Sequence, residues 1–237
     1  MGRTKIRGFL ALIGDLSGSR EVADRAGLQR ELKQALKRNA GRKSFAAVLA
    51  AGPEITAGDE FQILLHVDKP SGTGTEAMSF LVELSEDLPV RCAFGIGFGT
   101  LSTALKAPIR ELDGTCFHRA REALERAKRE DRWAVVAGAP APDADIANAI
   151  LRLSGSIRES WTERQKEIIR VRRKIPLQKD VARKLKVSPS VISEALSAAR
   201  HDAILEADHA VAWILDRVAK EGKWAEEDAA DSKEGSR

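Results

Sequence analysis

A regular alternation of short apolar runs with amphipathic stretches limits what the first 140 residues can become. RGFLALIGD is a short apolar run closed by a turn, the mark of a buried strand; EVADRAGLQRELKQALKRNA then sets Val22, Leu28, Leu32, Ala35 and Leu36 at helical spacing. FAAVLAAGPEITA and EFQILLHV read as two strands that meet in a hairpin at Gly58 and Asp59, and DKPSGTGT is a loop by composition. TEAMSFLVELSED reads as a helix and PVRCAFGIGFG as a glycine-punctuated strand after it. The order βαββαβ is the ferredoxin-like arrangement, extended by a further helix, FHRAREALERAKRE, and a short strand, WAVVAG. An α+β domain is therefore expected over residues 1–140, then a linker or connecting helix over 141–158, an all-α helix-turn-helix domain over 159–221 and a disordered acidic tail over 222–237.

A chain of 237 residues that is 43% hydrophobic can bury a real core, and its length suits two such domains. The net charge of +4 is unevenly spread: Arg158 to Arg200 holds twelve Lys and Arg against five Asp and Glu, so the rest of the chain is net acidic. Cys92 and Cys116 have neither CxxC nor Cys/His ligand spacing, which points away from zinc and disulfides and toward a reducing cytoplasm. The basic lead of MGRTKIRGFLALIGD imitates a signal peptide, but its apolar run breaks at Gly14 and Asp15. No segment is long enough to span a bilayer, so no membrane association is expected.

Two carboxylates stand out. In a ferredoxin-like sheet the first strand lies beside the third, so Asp15, at the end of the first, and Asp59, at the hairpin, are expected to meet at one edge. Converging carboxylates need a hard cation between them, and Mg²⁺ or Mn²⁺ takes one or two carboxylates plus phosphate oxygens. LSGSR follows Asp15, so the backbone at Leu16, Ser17, Gly18 and Ser19 is a candidate phosphate cradle before a helix. Turn and capping chemistry is the plainer alternative for both segments.

The motifs IGDLSGSR, AGDEFQ, RCAFGIGFG and DGTCFHRAREAL, in that order, resemble the SatD family of bacterial proteins over roughly the first 135 residues. The same set is more distantly similar to the palm domains of class III nucleotide cyclases and of GGDEF proteins. That resemblance implies a nucleotide-cyclase-like domain in which Asp15 and Asp59 hold metal ions against a nucleoside triphosphate. Where the cyclase pattern has an Asn and, four residues on, an Arg, this chain has His118 and Glu122, with Arg119 and Arg121 close by. Asp15, Asp59, His118 and Arg121 are thus the catalytic candidates. Against these, His118 beside Phe117 also reads as a surface or packing residue, and Glu60 as a solvated one. GIGFG lacks the third glycine and the following helix of a dinucleotide fingerprint, and its glycines are expected to permit close packing against the adjacent hairpin.

The second constellation is basic. WTERQKEIIRVRRK is amphipathic with Thr162 placed to cap it, and LQKDVARKLKVSPSVISEALSAAR reads as two short helices. Ser188 and Pro189 make a helix start, and Ala182 is small enough for a close crossing. The spacing resembles bacterial helix-turn-helix regulators, with Lys186 where glycine is usual in the turn. Ser188, Ser190, Ser193 and Arg200 are then the groove-facing candidates, and Lys179, Arg183, Lys184 and Lys186, with Arg170, Arg172, Arg173 and Lys174, the phosphate contacts. A basic three-helix packing module is the plainer alternative. HDAILEADHAVAWILDRVAK carries Ile204, Ala207, Val211, Leu215 and Val218 near heptad spacing, which serves either a homodimer seam or a helix folded back on its own domain.

These readings lead to a cytoplasmic nucleotide- and Mg-binding regulator that binds DNA, a transcriptional regulator. An active nucleotide cyclase or nucleotidyltransferase docked to nucleic acid is the alternative.

Overall fold

The computed structural model describes residues 8–17, 22–68, 72–222 and 224. Five strands form one sheet in the order β2-β3-β1-β4-β5: β1 (Phe9–Leu16), β2 (Leu49–Ala57), β3 (Glu60–His66), β4 (Cys92–Gly99) and β5 (Ala134–Ala137). β1 runs antiparallel to both β3 and β4, and β5 joins β4 in parallel. The first four strands have the ferredoxin-like order, and β5 extends the sheet by a right-sized helical crossover.

β1 is apolar without alternation because both faces of the sheet are covered. Leu10 and Leu12 enter one core with Phe61, Ile63, Phe94, Ile96 and Phe98, while Phe9, Ala11 and Ile13 enter another. The first core is closed by α1 (Arg25–Ala40), α2 (Lys43–Val48), α3 (Thr73–Asp87), α5 (Ala141–Glu159) and α9 (His201–Glu221). The second is closed by α4 (Thr115–Arg129).

Residues 43–48 correct the expected strand that begins at Phe45. They are helical because Phe45 and Val48, three apart, both point into the core, and Phe45 stacks on Phe80 with ring centroids 4.6 Å apart. Of the two readings of 141–158, linker or connecting helix, the structure has the helix, α5. Ala147 and Leu151 of α5 are core residues, and Asn148 donates to the Val136 carbonyl (2.9 Å) and accepts from the Val136 amide (2.8 Å). Its amide side chain thus takes the place of a further strand on β5.

Three further helices, α6 (Glu163–Lys174), α7 (Gln178–Leu185) and α8 (Pro189–Ala198), build a separate core around Trp161, Ile168, Ile169, Val181, Ala182, Ile192 and Leu196. α9 starts there with Ile204 and ends in the sheet core with Val211, Leu215 and Val218. The near-heptad positions are therefore spent inside the chain, and the expected helical domain shares its last helix with the sheet layer. Trp224, within the expected acidic tail, is buried in the same core; the rest of that tail beyond Gly222 lies outside the described residues.

One link ties the two ends of the chain. α3 begins at Gly72, which offers no side-chain cap, and Asp216 of α9 fills that role: it accepts from the Gly74 amide (2.5 Å), the Thr75 amide (3.2 Å) and the Thr75 hydroxyl (2.7 Å). A carboxylate there also meets the positive end of the helix. Asp216→Ala is expected to cost about 1–2 kcal/mol, read as a lower urea midpoint at unchanged slope.

Candidate functional site

The site is set by how closely α4 lies on β4. Gly95, Gly97 and Gly99 alternate along β4 and present bare backbone to α4. A Cβ on Gly95 would lie 2.0 Å from the Ala120 carbonyl oxygen; one on Gly97 would lie 2.3 Å from both the Ala120 nitrogen and the Cys116 carbonyl oxygen. The glycines of GIGFG therefore admit a helix, not the hairpin expected. With its backbone on the sheet, α4 hangs Arg121, Glu125 and Lys128, successive residues of one helical stripe, over the ends of β1 and β3.

The last pair of the β1–β3 ladder is Gly14 opposite Phe61, so the next residues on each strand are Asp15 and Glu60, both on the α4 side. Lys128 Nζ is 2.8 Å from Asp15 Oδ2. Arg121 grips Glu60 with both terminal nitrogens, Nη2 to Oε1 at 2.7 Å and Nη1 to Oε2. The result is a charge-compensated cluster of two carboxylates and two cations, with Glu125 also beside Lys128. Glu60, expected to be solvated, has a side chain only 13% exposed.

Burial works to raise the Glu60 carboxyl, but the hydrogen bond and charge of Arg121 outweigh it and hold the group below its ordinary 4.5. Arg121 is raised in turn by Glu60, and Lys128 by Asp15. A depressed carboxyl contributes stability above its unfolded value, and that stability is lost as pH falls through the lower folded value. Glu60→Gln is expected to cost on the order of 1 kcal/mol at neutral pH, discounted because Arg121 is partly exposed, and to flatten the stability profile below about pH 4.5. Urea unfolding at pH 7 and pH 3.5 measures both effects.

Asp59 lies at the hairpin between β2 and β3. Ala57 pairs with Glu60 to close a two-residue turn, and Gly58 supplies the positive φ (+62°) at its first position. Gly-Asp is thus good turn chemistry here. Asp59 is half-buried and takes no hydrogen bond or ion pair among the described residues; it sits in the turn just before β3, the strand beside β1.

The expected phosphate cradle is corrected at its start. Leu16 is a ladder residue opposite Cys92 with a buried side chain, and the Ser17 amide donates to the Arg91 carbonyl (2.8 Å). Gly18 and Ser19 lie outside the described residues. Cys92 and Cys116 are buried and form no disulfide with each other; burial, reinforced by the charge of Asp15, pushes the Cys92 thiol up to about 12.

Among the described residues no three His, Cys, Asp or Glu side chains are grouped to hold a metal ion. Asp15 and Asp59 are oxygen donors at the end of β1 and in the turn before its neighbour β3, and Asp15 is already paired with Lys128. Mg²⁺ needs no more than one or two such carboxylates when phosphates and water complete its shell.

His118 is elsewhere. It bonds Asp113 at 2.7 Å, its side chain is 69% exposed, and the hydrogen bond from His118 lowers the Asp113 carboxyl. It stands ten residues before Lys128 on α4, about 15 Å along the helix axis. Arg119 bonds the Phe98 carbonyl at 3.1 Å. Of the four catalytic candidates, Asp15 and Arg121 share the cluster, Asp59 is the turn residue before Glu60, and His118 lies apart from it. Lys128 escaped sequence reasoning, although its spacing of seven from Arg121 puts both on one face.

The SatD family matches residues 9–212, most of the chain and well past the 135 residues suggested by the motifs. The chain belongs to the SatD family. No curated protein matches it. Among solved structures, a microbial GGDEF domain described in its interaction with cyclic di-GMP is 19% identical, with a TM-score of 0.36 over 52% of this chain and 72% of that one. A bacterial light-regulated adenylyl cyclase is 11% identical, with a TM-score of 0.38 over 55% of this chain and 75% of that one. A regulator of polyketide synthase expression from Bifidobacterium adolescentis is 15% identical, with a TM-score of 0.26 over 93% of this chain and 83% of that one.

The family match takes in the helical layer of this SatD chain. α6 opens with a capping box between Thr162 and Gln165, and Trp161 Nε1 donates to the Ala199 carbonyl (2.8 Å), pinning the end of α8 to the start of α6. Ala182 is buried where α7 meets α8, and Pro189 is the first residue of α8. Lys179, Arg183, Lys184, Lys186, Ser188, Ser190, Ser193 and Arg200 are all exposed. Lys186 adopts the left-handed conformation that glycine would favour (φ 56°). Two cations expected to face outward are used otherwise: Arg170 donates to the Glu86 carbonyl (2.7 Å) and Arg173 pairs with the Glu86 carboxylate, so both tether α6 to the end of α3. Among the described residues no helix is long and apolar enough to cross a membrane.

Proposed function

We propose that this chain is a regulator that binds a nucleotide with Mg²⁺ or Mn²⁺ where β1 meets the hairpin, and binds DNA through α7 and α8 as a helix-turn-helix. The observation that carries the first half is the cluster of Asp15 and Glu60 under Lys128 and Arg121 at the ends of β1 and β3, with Asp59 in the turn that precedes β3. Carboxylates and cations collected in one place suit a ligand that is itself a metal ion plus phosphates. Asp15 and Asp59 would hold the ion, which when bound neutralises phosphate charge. Lys128 reaches the same edge as a partner for a phosphate oxygen, and Arg121 keeps Glu60 in place. The remoteness of His118 favours binding over turnover, so an active cyclase is the second reading.

The DNA-binding half is supported by the eight exposed polar and cationic residues on α7, α8 and their turns. Val191, 40% exposed on α8, adds an apolar contact of the kind that meets a thymine methyl. Coupling would run through the Arg170 and Arg173 tethers to α3. Duplex-DNA affinity, selected from a random pool and measured with and without each ribonucleoside triphosphate plus Mg²⁺, is expected to shift severalfold with one of them. Identical affinity under every condition sinks the coupling.

A further inference from the structure

The inner side of α5, with Ala147, Asn148, Leu151, Ser154 and Gly155, is buried, while Asp145, Ile146, Ala149, Arg152 and Leu153 on its outer side are all exposed. Ile146 is 51% and Leu153 67% exposed; with Trp213 of α9, at 61%, they are three of the six exposed large apolar side chains among the described residues. We propose that this face docks a second copy of the chain, with the two α5 helices packed antiparallel across a two-fold axis at Ala149.

The order of residues along the helix selects this occupant. Positions seven apart lie almost above one another, so Asp145 and Arg152 form one flank of the face, Ile146 and Leu153 the other, and Ala149 lies between them. A two-fold axis perpendicular to the helix reverses its direction but keeps each flank on its own side. Asp145 then meets the partner's Arg152, Ile146 meets the partner's Leu153, and each contact is made twice. Neither Asp145 nor Arg152 takes a hydrogen bond or ion pair among the described residues, so both charges are available for the match. Ala149, at the crossing point, is small enough for two helices to approach closely. One acid and one base offer little to a polyanion or an anionic bilayer, whereas the same helix running the other way answers both.

Trp213 borders the same face. The Arg217 guanidinium carbon lies 4.8 Å from its ring centroid, and Arg217 pairs with Asp143, one turn before Ile146. Trp213 thus adds aromatic surface of the kind enriched at interfaces beside the Ile146 flank. The near-heptad positions of α9 are spent in the core, and α5 supplies the self-complementary surface instead. One helix pair and one indole per copy make a small interface, so a dissociation constant on the order of 10 µM is expected.

Sedimentation velocity of the full chain from about 1 to 200 µM tests this, and a monomer–dimer equilibrium is expected. Asp145→Arg and Arg152→Asp are each expected to weaken the dimer roughly tenfold, because each sets like charges together at two symmetric points, and the double variant is expected to restore it. Leu153→Glu is expected to weaken it by more than tenfold. Ala149→Cys is expected to form an interchain disulfide on oxidation, while wild type, whose Cys92 and Cys116 are buried, does not. All four positions are exposed, so thermal melts of the variants should barely move. The proposal is overturned if the chain stays monomeric throughout, if the single charge variants dimerise as wild type, if the double variant is as weak as either single one, or if Ala149→Cys fails to cross-link.

Discussion

Gly97→Val is expected to be among the most damaging single substitutions in the chain. A Cβ alone would overlap the α4 backbone on two atoms at 2.3 Å, and backbone cannot swing aside as a long side chain can. The added methyls of valine deepen the clash, so about 3–5 kcal/mol or outright failure to fold is expected. Lifting α4 also carries Arg121 and Lys128 off Glu60 and Asp15, so any folded fraction should lose nucleotide binding. Gly58→Ala is the control: nothing lies within 4 Å of that position, and only its φ of +62° disfavours a side chain. It should cost about 1–2 kcal/mol. Thermal melts of the two variants, run side by side, separate close approach from turn conformation; similar losses would contradict this account of α4.

The second large effect is electrostatic. If α7 and α8 contact DNA, replacing Lys179, Arg183, Lys184 and Lys186 together by Ala removes up to four phosphate contacts. The slope of log affinity against log salt should then fall by roughly 0.9 for each contact, about 3 to 4 in all, with affinity at moderate salt down by on the order of a hundredfold or more. Ser193→Ala should instead relax sequence preference with little change in slope. Because all five positions are exposed, stability should hardly move. An unchanged salt slope in the quadruple variant would return α6 to α8 to a packing role.

The sequence made local features legible and left long-range partners hidden. Strand and helix order, the Gly58–Asp59 turn, the Thr162 cap and the Pro189 helix start follow from patterns a few residues long, and the structure has each. FAAV misled because an apolar run that short satisfies either period until its partner is known; Phe80 decided it. The spacing of Gly95, Gly97 and Gly99 announced a close neighbour but not which one. Periodicity put Arg121 and Lys128 on one helix face, yet nothing local says that this face meets Asp15 and Glu60. In the same way, Arg170 and Arg173 read as solvent cations because Glu86 is more than eighty residues away. Asp216 capping a helix 142 residues distant lies beyond any local pattern.

The most direct measurement is titration of the wild-type chain and of Asp15→Asn and Asp59→Asn with each ribonucleoside triphosphate, with Mg²⁺, with Mn²⁺ and in EDTA, followed by mass spectrometry of the mixture. Metal-dependent binding of at least one triphosphate is expected, weakened tenfold or more in both variants, with the nucleotide recovered unchanged. Binding that ignores both substitutions, or no binding at all, would leave Asp15 as the partner of Lys128 and Asp59 as a turn residue, and would contradict it.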